Sequence, residues 1–206
     1  MSKLEGKIKI LGIDPGTGLM GWGLIEKAGG DIKPLKFGCI RTEPKSGRSE
    51  RLAHIFNSLS VIIEKNQPDT LAIEELFFFK NQKTVISVAE ARGVALLCGK
   101  LHNLAVFEYT PLEIKQALTG YGRADKKQMQ EMVRLTCKMK ECPKPDDAAD
   151  GLAVAICHAQ SNLRIGLENS KIPPLCPPFA KATEVAQQGS EGQGNLKSEL
   201  FLDLSI

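Results

Sequence analysis

Short apolar runs and turn-forming residues alternate over the first 42 residues of the chain. Three runs, at 7–14, 21–27 and 35–42, are separated by segments that contain Gly, Pro or Asp. Apolar runs of this length, bounded by residues that favour turns, are typical of strands. The pattern therefore predicts three consecutive strands in an antiparallel meander.

The hydrophobic period then changes to that of a helix. Apolar residues between Leu52 and Ile63 recur every three or four positions, which predicts an amphipathic helix from Ser49 to Lys65 that ends before Pro68. Further strands are predicted at 70–74 and 104–109, and further helices at 83–98 with a stop at Gly99, at 110–118, at 125–139 and at 146–163. The order βββαβαβααα predicts an α/β fold with a five-stranded mixed sheet flanked by helices.

The composition changes after Gly166. A Pro-rich segment is followed by one rich in Gly, Gln and Ser, and neither can bury a core. We therefore expect one folded domain at 1–165 and a disordered C-terminal tail at 166–206. The apolar end at 198–206 either packs on its own domain or serves as a short peptide for a partner's groove.

The overall composition is that of an ordinary globular protein, with 42% hydrophobic and 25% charged residues. No apolar run approaches the roughly 20 residues of a membrane span, and the first residues lack the apolar segment of a secretory signal. We expect a cytoplasmic protein without a membrane partner. The six cysteines include no C-x-x-C pair, so neither a zinc site nor a disulfide framework is indicated.

Positive charge is concentrated in the middle of the chain. Residues 80–140 contain 11 basic and five acidic side chains, although the whole chain has a net charge of only +3. A basic stretch inside a folded domain is typical of a protein that binds a polyanion. On charge alone, a solvated basic surface explains it equally well.

Four acids occupy related places in the predicted fold. Asp14 ends the first strand and Glu74 ends the fourth, while Asp147 and Asp150 are three residues apart and so share one face of the last helix. Alone, Asp14 before Pro15 is more typical of a simple turn residue. If the two strands lie side by side, however, all four carboxylates converge on one pocket.

Such a cluster needs protons or cations, because neighbouring carboxylates repel one another and raise one another's pKa. Oxygen ligands select hard ions such as Mg²⁺ or Mn²⁺. Two such ions can activate a water and stabilise the leaving oxygen of a phosphodiester. The cluster therefore predicts metal-dependent phosphoryl hydrolysis.

Five segments between residues 7 and 159 resemble, in order and spacing, the motifs of the RuvC family. They are ILGIDPGTGLMGWGLI, AIEELF, EARGVA, FEYTPLEIKQALTGYGRADKKQMQEMV and DDAADGLAVAICHA. RuvC proteins are bacterial Holliday-junction resolvases with a ribonuclease H-like fold. The resemblance implies a homodimeric, Mg²⁺-dependent endonuclease, with Mn²⁺ as a substitute ion, that nicks four-way DNA junctions symmetrically in recombination and repair. It also implies the branch-migration proteins RuvA and RuvB as partners.

Seven positions match functional residues of that family. The metal-binding catalytic acids are matched by Asp14, Glu74, Asp147 and Asp150, and the DNA-binding residues by Phe77, Lys115 and Lys126. In the family the aromatic residue stacks on an unpaired base near the crossover, and the basic residues approach the cleaved strand. Otherwise, Lys115 and Lys126 are two of many surface lysines.

Two positions depart from the family pattern. Glu75 follows Glu74 where a neutral Gln is common, although strand alternation lets only one of them point inward and the position favours Glu74. Asp146 is an additional acid, whose simplest role is at the start of the last helix.

Two other functions are compatible with parts of this sequence. An actin-like or sugar-kinase-type ATP-binding domain also has a turn resembling the segment DPGTG, but needs a second lobe and a second glycine-rich phosphate loop, which we do not expect here. A non-catalytic junction-binding protein would gain nothing from four converging acids, because their charges repel DNA. Both alternatives explain the pattern less completely.

Overall fold

The computed structural model describes residues 6–76 and 82–161. Within them, five strands and five helices follow one another in the predicted order. The strands are β1 (Ile8–Asp14), β2 (Leu19–Ala28), β3 (Asp31–Arg41), β4 (Thr70–Glu74) and β5 (Ala105–Tyr109). The helices are α1 (Arg48–Asn66), α2 (Gln82–Leu101), α3 (Pro111–Thr119), α4 (Lys126–Thr136) and α5 (Asp146–Gln160). The predicted tail at 166–206 lies outside the described residues.

The strands form one mixed sheet in the order β3-β2-β1-β4-β5. β1, β2 and β3 form the predicted antiparallel meander, because only short turns connect them. β4 is parallel to both of its neighbours, since α1 precedes it and α2 returns the chain from it to β5. The predicted fold class is confirmed, with β1 as the central strand.

Each face of the sheet carries its own hydrophobic core. Leu11 and Ile13 of β1 belong to the core shared with α1 and α2. Ile10, on the opposite face of the same strand, belongs to the core shared with α3, α4 and α5. Because side chains alternate along a strand, Asp14 and Glu74 point to the α5 face.

Some predicted boundaries differ from the structure. Gly99 does not stop α2, which continues to Leu101; a Cβ atom at Gly99 would lie only 3.1 Å from Val106, so this glycine serves close packing on the sheet. β3 begins at Asp31, because its pairing with β2 continues through an irregularity opposite Pro34. α4 ends at Thr136 rather than at 139, since Lys138 has a φ of 53°, which no helix residue adopts.

The predicted capping box at the start of α3 is confirmed. The Thr110 hydroxyl accepts a hydrogen bond from the Glu113 N–H at 3.2 Å, and the Glu113 carboxylate accepts one from the Thr110 N–H at 2.7 Å. The paired bonds satisfy N–H groups that the first turn of a helix leaves free. The capping box therefore fixes the start of α3, the helix on the α5 face of the sheet that carries Lys115.

Candidate active site

Two of the four predicted acids end neighbouring parallel strands. Asp14 is the last residue of β1, and Glu74 is the last residue of β4. The carboxyl ends of parallel strands meet at one edge of a sheet, and here the two side chains share a hydrogen bond. The expectation that these strands lie side by side is confirmed.

The other two acids lie in the first turns of α5. One carboxylate oxygen from each of Asp14, Asp147 and Asp150 lies within 4.8 Å of the other two. Glu74 joins them through its bond to Asp14, and it lines the same pocket as Asp14 and Asp150. The structure thus brings all four predicted carboxylates together.

Four glycines let α5 lie directly on the sheet. We call them the glycine seam: Gly12 on β1, Gly21 and Gly23 on β2, and Gly151 on α5. A Cβ atom at Gly21 would lie 1.9 Å from the Asp147 carbonyl oxygen, and one at Gly151 would lie 2.6 Å from the Trp22 backbone. Real side chains do not approach backbone atoms so closely. The seam therefore sets the distance between Asp147 on the helix and Asp14 on the strand.

Asp14, Glu74 and Asp150 are buried close to one another, and this raises the pKa of each carboxyl group. Burial raises the pKa of Asp14 well above its ordinary value, and the charges of Glu74 and Asp150 raise it further. Burial likewise raises the pKa of Glu74 and of Asp150, with Lys115 opposing the rise at Glu74 and Lys126 opposing it at Asp150. A divalent cation that enters the cluster therefore competes with protons for these carboxylates.

Both predicted lysines line the pocket of about 250 Å³ that holds the acids. Lys115 comes from α3 and Lys126 from α4. The Lys126 Nζ atom lies 3.2 Å from Oδ2 of Asp150. Although burial lowers the pKa of Lys126, the charge of Asp150 and the hydrogen bond to it raise that pKa overall. Lys126 is therefore charged at neutral pH and forms an ion pair with one of the four acids.

The donor atoms suit a hard divalent cation. All four acids offer carboxylate oxygens, which Mg²⁺ and Mn²⁺ prefer. The thiol of Cys39 lies near Asp147, but burial and then that charge raise its pKa, so it remains protonated at neutral pH. Among the described residues, the group placed to hold a metal ion consists of carboxylates, and these fit the ion that the sequence predicted.

The remaining predicted positions have different outcomes. Glu75 lies one residue beyond β4 and is not among the residues that line the pocket; its N–H donates to the Tyr109 carbonyl at 2.8 Å. Asp146 is the first residue of α5, where the helix dipole favours an acid. Phe77 lies outside the described residues.

Sequence reasoning missed the residues that hold the site from the opposite face of the sheet. The Thr42 hydroxyl donates to the Thr17 carbonyl at 2.6 Å, and the Thr17 hydroxyl donates to the Ser87 carbonyl at 2.5 Å. These buried threonines fix the turn after β1. Arg92 on α2 donates to the backbone carbonyl of Glu74 at 3.2 Å. In the sequence, only the position of Arg92 within the EARGVA motif indicates that it has a role in the site.

The helices in the described part of the chain include no candidate membrane span, since none combines the necessary length with sufficient apolar character.

A family profile, a relative of known name and two solved structures indicate the same family. The family profile described as crossover junction endodeoxyribonuclease RuvC matches residues 10–158. The protein of that name from Desulforamulus reducens is 52% identical over 157 residues, which are 76% of this chain and 96% of that protein. The Thermus thermophilus RuvC structure is 32% identical with a TM-score of 0.69, and the match covers 74% of this chain and 94% of that one. The Thermus thermophilus RuvC in complex with Holliday junction substrate gives a TM-score of 0.70 at 32% identity, over 74% of this chain and 93% of that one. The chain therefore belongs to the RuvC family of crossover junction endodeoxyribonucleases.

Proposed function

We propose that this chain resolves four-way DNA junctions by symmetric, metal-dependent hydrolysis of phosphodiester bonds, in homologous recombination and DNA repair. The observation that carries the proposal is the convergence of carboxylates from β1, β4 and α5 in one pocket beside two lysines. Family membership supports the choice of substrate, because the Thermus relative was solved with a Holliday junction.

Mg²⁺ is the proposed cofactor, and Mn²⁺ substitutes for it. Asp14, Asp147 and Asp150 would hold the metal, with Glu74 as a fourth ligand at the edge of the cluster. When bound, the metal supplies an activated water and stabilises the leaving oxygen. The carboxylates neutralise its charge and, through their short distances from one another, set where it lies.

Lys115 and Lys126 would bind phosphates of the cleaved strand. A phosphate that enters an acidic pocket is repelled by every carboxylate charge that remains unneutralised, and the two ammonium groups offset this repulsion. Lys126 would then exchange its partner Asp150 for a phosphate oxygen. Exposed Arg123 and Lys127 extend the positive surface beyond the pocket. This surface favours binding of a DNA substrate that extends beyond the cleaved phosphate.

A homodimer is part of the proposal, because two symmetric nicks require two copies of this site. The surface of α2 supports it. Ile86 and Leu97 are 65% and 55% exposed, and exposed Ala89 and Gly93 lie between them at helical spacing. Replacing Leu97 by Glu should give a monomer in size-exclusion chromatography with light scattering. A dimer that survives this change would place the interface elsewhere.

Three further parts of the proposal rest on the family resemblance. RuvA and RuvB are the proposed partner proteins, and the cytoplasm is the proposed location. Phe77 would stack on an unpaired base near the crossover. Phe77→Ala should then lower cleavage more than junction binding, whereas an equal loss of both would indicate a core role.

The central experiment uses a synthetic four-way junction and a linear duplex of the same sequence, each with Mg²⁺ or with EDTA. The protein should nick the junction in two strands, only with Mg²⁺, and its binding should weaken steeply as salt increases. Asp147→Asn should abolish nicking and preserve binding, while Asp146→Asn, a matched change at the adjacent acid, should preserve both. Preference for linear duplex, or nicking by the Asp147 variant, would contradict the proposal.

A further inference from the structure

The end of β4 lacks the support of a strand on one side. The pairing between β1 and β4 ends at Ile13 and Ile73, one residue before Glu74. On the other side the pairing with β5 continues, as Glu74 lies opposite Tyr109. The peptide that carries the Glu74 side chain therefore lies one residue beyond the last pair that joins β4 to the central strand.

Arg92 reaches this peptide from the α2 face of the sheet. Its Nε atom donates to the Glu74 carbonyl at 3.2 Å, and its terminal nitrogen forms an ion pair with Glu108 of β5. The Arg92 side chain is only 19% exposed. Glu108 is paired in register with Ile73, so the guanidinium joins the ends of two strands.

The two contacts use properties that only arginine combines. A guanidinium is planar, permanently charged and carries donors in several fixed directions, so one group can hold a carbonyl and a carboxylate together. Lysine has a single ammonium group on a flexible stem and would keep one contact at the expense of the other.

Electrostatic repulsion within the acidic pocket acts against the contact between Arg92 and Glu74. The charge of Asp150 acts on the Glu74 carboxylate, which lies in the same pocket, and this repulsion favours movement of the strand end away from Asp150. The bond from Arg92 to the Glu74 carbonyl, on the opposite face of the sheet from the acids, opposes that movement.

We propose that Arg92 is a positioning residue for Glu74, which clamps the end of β4 to β5 and so keeps the fourth carboxylate within reach of the metal. The inference rests on the proposed function of the acids. Outer groups that orient metal ligands change metal affinity by about 10- to 100-fold when they are removed. Arg92 should therefore act on metal binding and not on DNA binding.

The test measures Mn²⁺ binding by calorimetry without DNA, junction binding in EDTA, and the melting temperature in EDTA. Arg92→Gln should weaken Mn²⁺ binding about tenfold and leave junction binding unchanged. Arg92→Lys should lie between this variant and the wild type. In Glu108→Gln, Arg92 can still donate to the Glu74 carbonyl. This variant should therefore weaken Mn²⁺ binding less than Arg92→Gln does.

Glu74→Gln separates failure of this inference from failure of the proposed function. If Glu74→Gln weakens Mn²⁺ binding and Arg92→Gln does not, Arg92 has no positioning role and the metal site stands. A lower melting temperature of Arg92→Gln with unchanged Mn²⁺ binding leads to the same conclusion. If Glu74→Gln also leaves Mn²⁺ binding unchanged, Glu74 is no ligand and the metal site itself is misassigned.

Discussion

Replacing Asp14 by Asn should stabilise the metal-free protein and abolish its activity. Asp14 lies among like charges, and burial together with the charges of Glu74 and Asp150 raises its pKa. Asn has nearly the same shape, can still hydrogen-bond to Glu74, and carries no charge. The change therefore removes repulsion while it preserves packing.

The magnitude follows from the distances within the cluster. Carboxylate oxygens of Asp14, Asp147 and Asp150 lie within 4.8 Å of one another, and two full charges at that distance repel by about 3.5 kcal/mol at an effective dielectric constant of 20. Lys126 and partial protonation reduce the repulsion. A net gain of about 2 kcal/mol is expected, which corresponds to about 4–8 °C in melting temperature for a domain of this size.

The assay is thermal unfolding in EDTA, followed by circular dichroism between pH 5 and pH 8. The folded-state pKa of Asp14 lies above the unfolded one, so ionisation costs stability that is absent at low pH and grows as the pH rises through the folded-state pKa. The advantage of Asp14→Asn should therefore increase with pH. Saturating Mg²⁺ should stabilise the wild type more than the variant.

Asp31→Asn is the matched control for this experiment. Asp31 is 79% exposed and pairs with Lys138 at the surface, so the same chemical change there should move the melting temperature little. If Asp14→Asn melts at or below the wild-type temperature in EDTA, the acids do not repel one another as the geometry implies, and the electrostatic reasoning fails.

Three further changes test other parts of the structure. Lys126→Gln should tighten Mn²⁺ binding to DNA-free protein about two- to fivefold, because the metal no longer competes with the ion pair to Asp150; weaker binding in calorimetry would contradict this. Gly151→Ala should cost about 1–3 kcal/mol in urea unfolding and weaken Mn²⁺ binding, because the new methyl group meets the Trp22 backbone; unchanged values of both would refute the role of the seam. Burial lowers the pKa of His158 to about 4, so its stabilising contribution is complete above pH 6.5 and falls by up to about 1.4 kcal/mol per pH unit towards pH 4. This extra slope in urea unfolding should be absent from His158→Phe, and equal slopes would contradict it.

The fold was largely predictable because its elements repeat strong periodic patterns. α1 carries apolar residues at helical spacing, and its observed bounds differ from the predicted ones by one residue at each end. Gly99 misled the prediction, since a glycine near the end of a helical pattern signals a stop as readily as a close contact with Val106. Only the tertiary structure distinguishes the two meanings.

The acids of the site were predictable because each stands at a strand end or on one face of a helix. The residues that hold the site from the opposite face of the sheet were not predictable. Arg92 acts on a backbone carbonyl of a distant strand, and no side-chain pattern marks such an acceptor. Thr17 and Thr42 likewise bind backbone atoms across 70 and 25 residues of sequence. Contacts of this kind depend on topology, which a local pattern does not encode.

The glycine seam makes the spacing of the proposed metal ligands a property of backbone contact. Where side chains separate a helix from a sheet, each substitution among those side chains alters the distance between the helix and the sheet. That distance then changes as the core evolves. Here, backbone atoms of α5 and β2 already lie at contact distance at Gly21 and Gly151. Substitutions elsewhere in the core can therefore change the free energy of unfolding without moving Asp147 relative to Asp14. We therefore expect the distance between the proposed ligands to stay constant while the free energy of unfolding varies from one relative to another.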